Sequence, residues 1–343
     1  MATGPRSLPP PHRTMSYSTI GYEDYHDADL VKRHEPGPVL TGKSFPAEAK
    51  IAHVFNSGVC KFNGKYLMMC RTETLDLKPA FWIAESDDGI HFTPRDKPIK
   101  MPTDNPLFRR YADINYYDPR LTEIDGVHYV MHACHSTLGD CRISLLKTTT
   151  FENDDFEWMG FVSDPGQRNG MLFPEKIDGM YVRFDRPQTS WEGGNMWLSK
   201  SPDLVHWGQS EAIMRNSDVT WAWTKVGAGA PPIRTKHGWL NIFHGVRSQV
   251  KAHLVYEVGV CFHDLADPRK ITHLAKAPIL TPVKLYEHVG QSPSVVFICG
   301  AVLEDDDSIK VYYGGADTVQ CVGFTSLDDL WNACEPFEST CNV

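Results

Sequence analysis

Asp125-Gly126-Val127-His128-Tyr129-Val130-Met131, answered downstream by Arg142-Ile143-Ser144-Leu145-Leu146, is the stretch whose reading decides the fold. An Asp-Gly pair supplies the two positive-φ positions of a tight turn, and the β-branched and aromatic run after it reads as a strand with a hairpin partner. The unit recurs. Asn63-Gly64-Lys65-Tyr66 pairs with Phe81-Trp82-Ile83-Ala84-Glu85-Ser86, and Asp178-Gly179-Met180-Tyr181-Val182 with Asn195-Met196-Trp197-Leu198-Ser199. His237-Gly238-Trp239 opens a fourth copy that continues in Tyr256–Cys261, and Ser308–Tyr313 with Cys321–Phe324 makes a fifth. The glycines at 64, 126, 179 and 238 are spaced by 62, 53 and 59 residues, as one supersecondary unit with variable loops would be.

Two further segments, Ser86-Asp87-Asp88-Gly89-Ile90-His91-Phe92 and Ser201-Pro202-Asp203-Leu204-Val205-His206-Trp207, read as polar turns leading into an aromatic return strand. Helical periodicity is confined to the neighbourhood of Ser326–Asn332. About four short strands per copy, repeated evenly, predict a single-domain, all-β, five-bladed β-propeller over residues 35–330. A Pro-rich extension (1–34) precedes it and a tail (331–343) follows. A pair of β-sandwiches is the competing architecture, disfavoured because the copies do not cluster in two halves.

The chain has 343 residues and a formal net charge of -9, with no run of Lys and Arg. That balance argues against nucleic acid or an acidic membrane surface as partner. The segment Met1–Met15 lacks the apolar core of a signal peptide, and no stretch is apolar enough to span a bilayer, so the expectation is a cytosolic protein. Nine cysteines, odd in number and without a CxxC pair, suit reduced core thiols.

In a propeller, loops from every blade converge on the axis, so polar residues at equivalent places in the copies can share one pocket. Tyr116-Tyr117-Asp118-Pro119-Arg120 presents a carboxyl set in an aromatic corner, which reads as an acid. Around it the copies offer Asn56, Ser57 and Arg71; Arg168, Asn169 and Arg186; Lys225 and His244; and Asp317. Guanidinium groups and Lys225 meeting in one pocket would leave positive charge that a phosphate or carboxylate neutralises. The other reading has the arginines capping strand edges and pairing with blade carboxylates. His132-Ala133-Cys134-His135 has metal-ligand residue types but no second cluster at zinc spacing, so no metal is expected. No Walker or Rossmann phosphate loop and no nucleophile elbow is present.

Val54-Phe55-Asn56-Ser57-Gly58, Cys70-Arg71-Thr72-Glu73, Tyr117-Asp118-Pro119-Arg120, Arg168–Lys176, Arg186-Pro187, Lys225–Pro232, Phe243-His244-Gly245 and Tyr312–Thr318 together resemble glycoside hydrolase family 130, the β-mannoside phosphorylases and related mannosidases. The resemblance spans about residues 35 to 325. It implies a five-bladed propeller and inverting phosphorolysis of a terminal β-mannosidic bond, giving α-mannose 1-phosphate. Asp118 takes the position of the general acid, thought to act through a sugar hydroxyl. Arg168, Asn169, Arg186, Lys225, His244 and Tyr256 match the phosphate site. Asn56, Ser57, Arg71, Tyr117 and Asp317 match the mannosyl site. The partners implied are a β-mannoside oligosaccharide and inorganic phosphate as co-substrate, with no cofactor.

Physical logic agrees, since an inverting hydrolase needs a second carboxylate to activate water whereas a phosphorylase needs one acid and a cationic cradle. For the hydrolase, Glu73, Asp185 or Glu175 would have to stand across the pocket from Asp118. A non-catalytic sugar-binding propeller would instead have Asp118 consumed by Arg120 or by backbone amides. Trp191, in the insert 188–194, could stack on an acceptor sugar or pack on a neighbouring blade, and the basic segment 246–256 alters the rim near Tyr256. Edge strands and the tail could support a homo-oligomer, of a number the residues do not fix.

Overall fold

Asn63-Gly64 and Asp125-Gly126 carry positive φ at both positions, 49° and 77° in the first and 53° and 78° in the second. They link Ile51–Phe62 to Lys65–Thr74 and Asn115–Ile124 to Val127–His135 as two-residue hairpins. The computed structural model describes residues 29–139, 141–188, 194–249 and 253–342. Residues 1–28 of the Pro-rich extension lie outside the described residues.

The strands form five antiparallel sheets in sequence order, the blades of a propeller. Blade 1 continues from its hairpin into Pro79–Ser86 and Thr93–Pro94, and blade 2 into Cys141–Thr148 and Glu157–Phe161. Blade 3 comprises Gln167–Leu172, Tyr181–Pro187, Met196–Ser201 and Gly208–Met214. Blade 4 has six strands, built on Lys225–Ala228, Gly238–Ser248, Leu254–His263 and Ile271–Ala275. Blade 5 runs Val296–Leu303, Ser308–Gly315 and Val319–Ser326. The first-named strand of each blade lies innermost.

The two polar turns read from sequence are structural twins. Asp88 Oδ1 accepts from the backbone N–H of Ile90 and His91, as Asp203 Oδ1 does from Val205 and His206. In both, the other carboxylate oxygen meets the histidine Nδ1 at 2.7 Å. The expected helix forms at Leu327–Asn332, with Ser326 accepting from the Asp329 N–H. The propeller also contains short helices at Pro106–Tyr111 and Leu285–His288.

Apolar clusters fill the spaces between blades, so blades are held by side-chain packing and strands by hydrogen bonds. Near the axis the inner strands approach closely. A Cβ on Gly58 would sit 2.5 Å from the Pro119 carbonyl oxygen, and one on Gly300 2.8 Å from the Val59 nitrogen.

The propeller takes in chain on both sides of the 35–330 span. Lys32–Arg33 pairs with Val319–Ser326 as the outermost strand of blade 5, so the start of the described chain closes the ring. Cys334–Pro336 pairs with Ile271–Ala275 at the edge of blade 4. Arg33 fastens the closing strand. Its guanidinium donates to Asp29 and to Glu287 at 2.7 Å each, and Glu287, fully buried, also accepts from the Tyr313 hydroxyl. Arg33→Met leaves two buried carboxylates without their cation, and should cost about 3–5 kcal/mol in urea denaturation. A loss under about 1 kcal/mol, the scale of an exposed pair, would show that closure does not depend on this cluster.

Candidate active site

Regular alternation along the inner strands would bury every second side chain against a neighbouring blade. Three inner strands instead break register on the way to the axis, between Phe55 and Gly58, Tyr117 and Arg120, and Arg168 and Met171. At each break stands a left-handed residue: Asn56 (φ 49°), Asp118 (φ 54°) and Asn169 (φ 55°). Bulges re-aim side chains. These three turn into one axial pocket of about 230 Å³, which Asp317 (φ 51°) enters from a hairpin turn of blade 5.

One wall carries the acid. Asp118 Oδ1 accepts from Arg71 Nη1 at 2.8 Å and from Asn56 Nδ2 at 3.1 Å; the same amide reaches Asp317 Oδ1 at 3.4 Å. Arg71 also donates to Glu73, and its guanidinium lies 4.0 Å from the Phe55 ring centroid and 5.1 Å from that of Tyr117. Burial lowers the Arg71 pKa, but Asp118, Asp317 and Glu73 outweigh it and hold the pKa above its ordinary value. Glu73 is in turn fixed by Asn115 and Gln291 at 3.0 Å each. Burial, with Asp118 nearby, pushes the Asp317 carboxyl up.

The opposite wall is cationic. Arg186 Nη1 donates to His244 Nε2 at 3.0 Å, Lys225 Nζ donates to the Tyr256 hydroxyl at 2.7 Å, and Arg168 Nη2 meets Gln188 Oε1 and Cys141 Sγ at 2.9 Å each. None of the three cations is ion-paired to a described carboxylate. Burial and the neighbouring arginines push Lys225 down to about 7, and burial with Arg168 pushes Arg186 down to about 10. His244 is driven well below its ordinary value, first by burial and then by Arg186, Arg120 and Lys225. It is therefore a neutral imidazole whose Nε2 accepts from Arg186.

Asn56, Arg71, Tyr117, Asp118, Arg168, Asn169, Arg186, His244, Tyr256 and Asp317 all line the pocket. Lys225 reaches it through Tyr256. Ser57 does not line it; its hydroxyl turns back to the Phe55 carbonyl, and its N–H donates to Gln320. Asn115, Ser292, Val295 and Phe297 also line the pocket and escaped sequence reasoning. Asn115 could have been found, since it precedes Tyr117 by two on one strand and so shares its face. Trp191 lies outside the described residues.

The carboxylates a hydrolase would need are elsewhere. Asp185 is buried against Arg183 and Ser199, Glu175 pairs with Arg234 at the surface, and Glu73 stands behind Arg71. The carboxylate of Asp118 is not consumed by Arg120, which binds the Asp118 backbone carbonyl instead.

Fold and pocket together define a five-bladed propeller whose axial pocket sets a buried carboxylate against a wall of cations. Within that class the chain belongs to glycoside hydrolase family 130, whose sequence model, described as β-1,4-mannooligosaccharide phosphorylase, matches residues 22–336. It is 35% identical to the 1,2-β-oligomannan phosphorylase of Thermoanaerobacter sp. (strain X514), over 88% of this chain and 98% of that protein. It is 32% identical to the β-1,4-mannooligosaccharide phosphorylase of Ruminococcus albus, over 88% and 90%. Among solved structures, the β-1,2-mannobiose phosphorylase of Listeria innocua in complex with β-1,2-mannobiose superposes with a TM-score of 0.77 at 28% identity, covering 88% of this chain and 98% of that one.

An oxyanion beside Lys225 restores its ammonium form, so binding should take up a proton at any pH above the lowered value of about 7. Titration calorimetry of inorganic phosphate at pH 8, in buffers of different ionisation enthalpy, should show uptake approaching one proton, absent in Lys225→Met. Above pH 7 the affinity should weaken as pH rises, since an increasing fraction of the free protein must be protonated first. Zero uptake in the wild type would remove Lys225 from the anion site.

Proposed function

We propose that the protein is a β-mannoside phosphorylase. It cleaves the terminal β-mannosidic bond of a manno-oligosaccharide or mannosyl-glucose with inorganic phosphate, inverting the anomeric centre to give α-mannose 1-phosphate. The observation that carries this reading is the division of the pocket: an acid wall faces a wall of cations that have no carboxylate partner among the described residues. Such a wall is complementary to a phosphate dianion.

In this reading Asn56, Arg71, Tyr117 and Asp317 hold the mannosyl unit, joined by Asn115 and Ser292. Arg168, Asn169, Arg186, Lys225, His244 and Tyr256 hold phosphate on the opposite face of the sugar. A phosphate oxygen bonds to the anomeric carbon as the bond to the leaving sugar breaks. Asp118 supplies the proton that the leaving oxygen takes up, through a sugar hydroxyl. Hydrogen phosphate gives up its own proton on becoming the ester, which restores the acid and balances the reaction. Both hydrogen bonds to the Asp118 carboxylate from described residues, those of Asn56 and Arg71, fall on Oδ1, so Oδ2 is the oxygen left to substrate. A hydrolytic reading would require a carboxylate base opposite Asp118, where none of the described lining groups is a carboxylate; Asp317 stands on the acid's own side, bridged to it by Asn56.

Incubation with β-1,2- and β-1,4-mannobiose and with mannosyl-glucose should release mannose 1-phosphate only when phosphate is present. Asp118→Asn should lower kcat by about 10²–10⁴, the usual contribution of general acid catalysis. Free mannose formed equally well without phosphate would replace the phosphorylase by a hydrolase, and failure to cleave any β-mannoside would leave a binding propeller.

A further inference from the structure

Arg120 is one of the largest fully buried side chains of the molecule, 1% exposed, and it is not ion-paired to a described carboxylate. Its Nη1 donates to the Asp118 carbonyl and its Nε to the Gly229 carbonyl, both at 2.9 Å, while Nη2 has no partner among the described residues. Asp118 lies on the inner strand of blade 2, and Gly229 directly follows the inner strand of blade 4. In a ring of five, blades 2 and 4 are separated by blade 3, so this guanidinium spans the axis instead of joining neighbours. Phe297 of blade 5, itself a pocket residue, lies 5.9 Å from it.

A buried ion pair is often replaceable by apolar residues at no loss of stability, and a buried cation with only carbonyl partners is harder still to justify by stability alone. Two features give it a use. Asp118 sits in a left-handed bulge that an L-residue occupies only at a steric cost, and Arg120 holds the carbonyl of that same residue. Its charge also lies close enough to act on Arg186 and His244.

We propose that Arg120 is a positioning residue of the active site: it staples the backbone of Asp118 to blade 4 across the axis and adds, from beneath the pocket, positive charge that the bound anion neutralises. The inference rests on the phosphorylase reading and deepens it. One side chain thereby ties the acid to the oxyanion site, which face each other from different blades.

Two variants separate the staple from the charge. Arg120→Met removes both; Arg120→Lys keeps the charge but, with one compact ammonium, loses the fork that reaches two carbonyls at fixed spacing. Phosphorolysis of whichever β-mannoside the wild type cleaves gives kcat and both KM values, and calorimetry gives the Kd of inorganic phosphate. In Arg120→Met, kcat should fall at least about 100-fold and the phosphate Kd rise about tenfold or more, with the mannoside KM within about threefold. In Arg120→Lys, phosphate Kd should stay within about threefold while kcat falls about tenfold or more. A kcat for Arg120→Lys equal to wild type overturns the staple, and equal phosphate weakening in both variants overturns the charge. If the methionine variant does not fold, the lysine variant decides by the same two numbers: retained kcat, or phosphate affinity lost along with it, counts against the proposal. Wild-type enzyme that shows no phosphorolysis refutes the function itself, whereas normal wild-type turnover with unaffected variants refutes only the role of Arg120.

Discussion

Five strands brought side by side around one axis leave little room between their backbones, and this crowding governs where the chemistry sits. Gly58 and Gly300 mark the contacts, where a methyl group would strike the neighbouring strand. Close to this contact zone the strands bulge, because a regular pleat cannot aim consecutive blades at one point. The residues at the three left-handed bulges are Asn56, Asp118 and Asn169, types whose short polar side chains tolerate that conformation best. Each strained residue is held by paired strand on both sides, so the strain is over-determined by the sheet. A catalytic group placed this way has little freedom to drift.

The two walls of the pocket follow from which blades supply their side chains. Blades 1, 2 and 5 bring Asn56, Arg71, Asp118 and Asp317; blades 3 and 4 bring Asn169, Arg186, Lys225 and His244. The ring must therefore be closed for the walls to face each other, and the segment from Lys32 to Leu40 closes it, through Arg33 with its buried carboxylates and through backbone bonds of His34, Val39 and Leu40 to blade 5.

Much of this was legible in the residues. The Asn-Gly and Asp-Gly turns, their even recurrence and the Ser-x-Asp-x-x-His turns are local chemistry, which sequence records directly. The five blades and most of the pocket-lining polar residues followed. What was not legible is non-local. Lys32–Arg33 carries no strand signal of its own, and only its partner at the far end of the chain makes it one. Ser292 and Val295 belong to the blade 4–5 connection, outside the repeat. Ser57 matched the family pattern beside Asn56, yet alternation within the bulge sends its hydroxyl into the backbone. Arg120 was read only as a competitor for the Asp118 carboxylate, because sequence does not distinguish a bond to a side chain from one to a carbonyl.

Electrostatics supplies the reason an anion, and not water, suits this pocket. Arg71 and Arg186 are the same residue type in similar burial, yet the first is held above its ordinary pKa and the second below it. The difference is the company: carboxylates around Arg71, other cations around Arg186. On the cation wall the protein has already met the cost of removing charged groups from water, and that cost is offset only when negative charge arrives. A water molecule brings none, and it would also need a carboxylate base where Arg186 and Lys225 stand. A phosphate dianion answers both conditions, since it is nucleophilic without a base and returns Lys225 to its ammonium form. In the proposed reaction the same field favours the sugar phosphate, which keeps two negative charges after the bond is made, so one cradle would serve nucleophile and product alike. That symmetry is what a reversible phosphorolysis requires of its site.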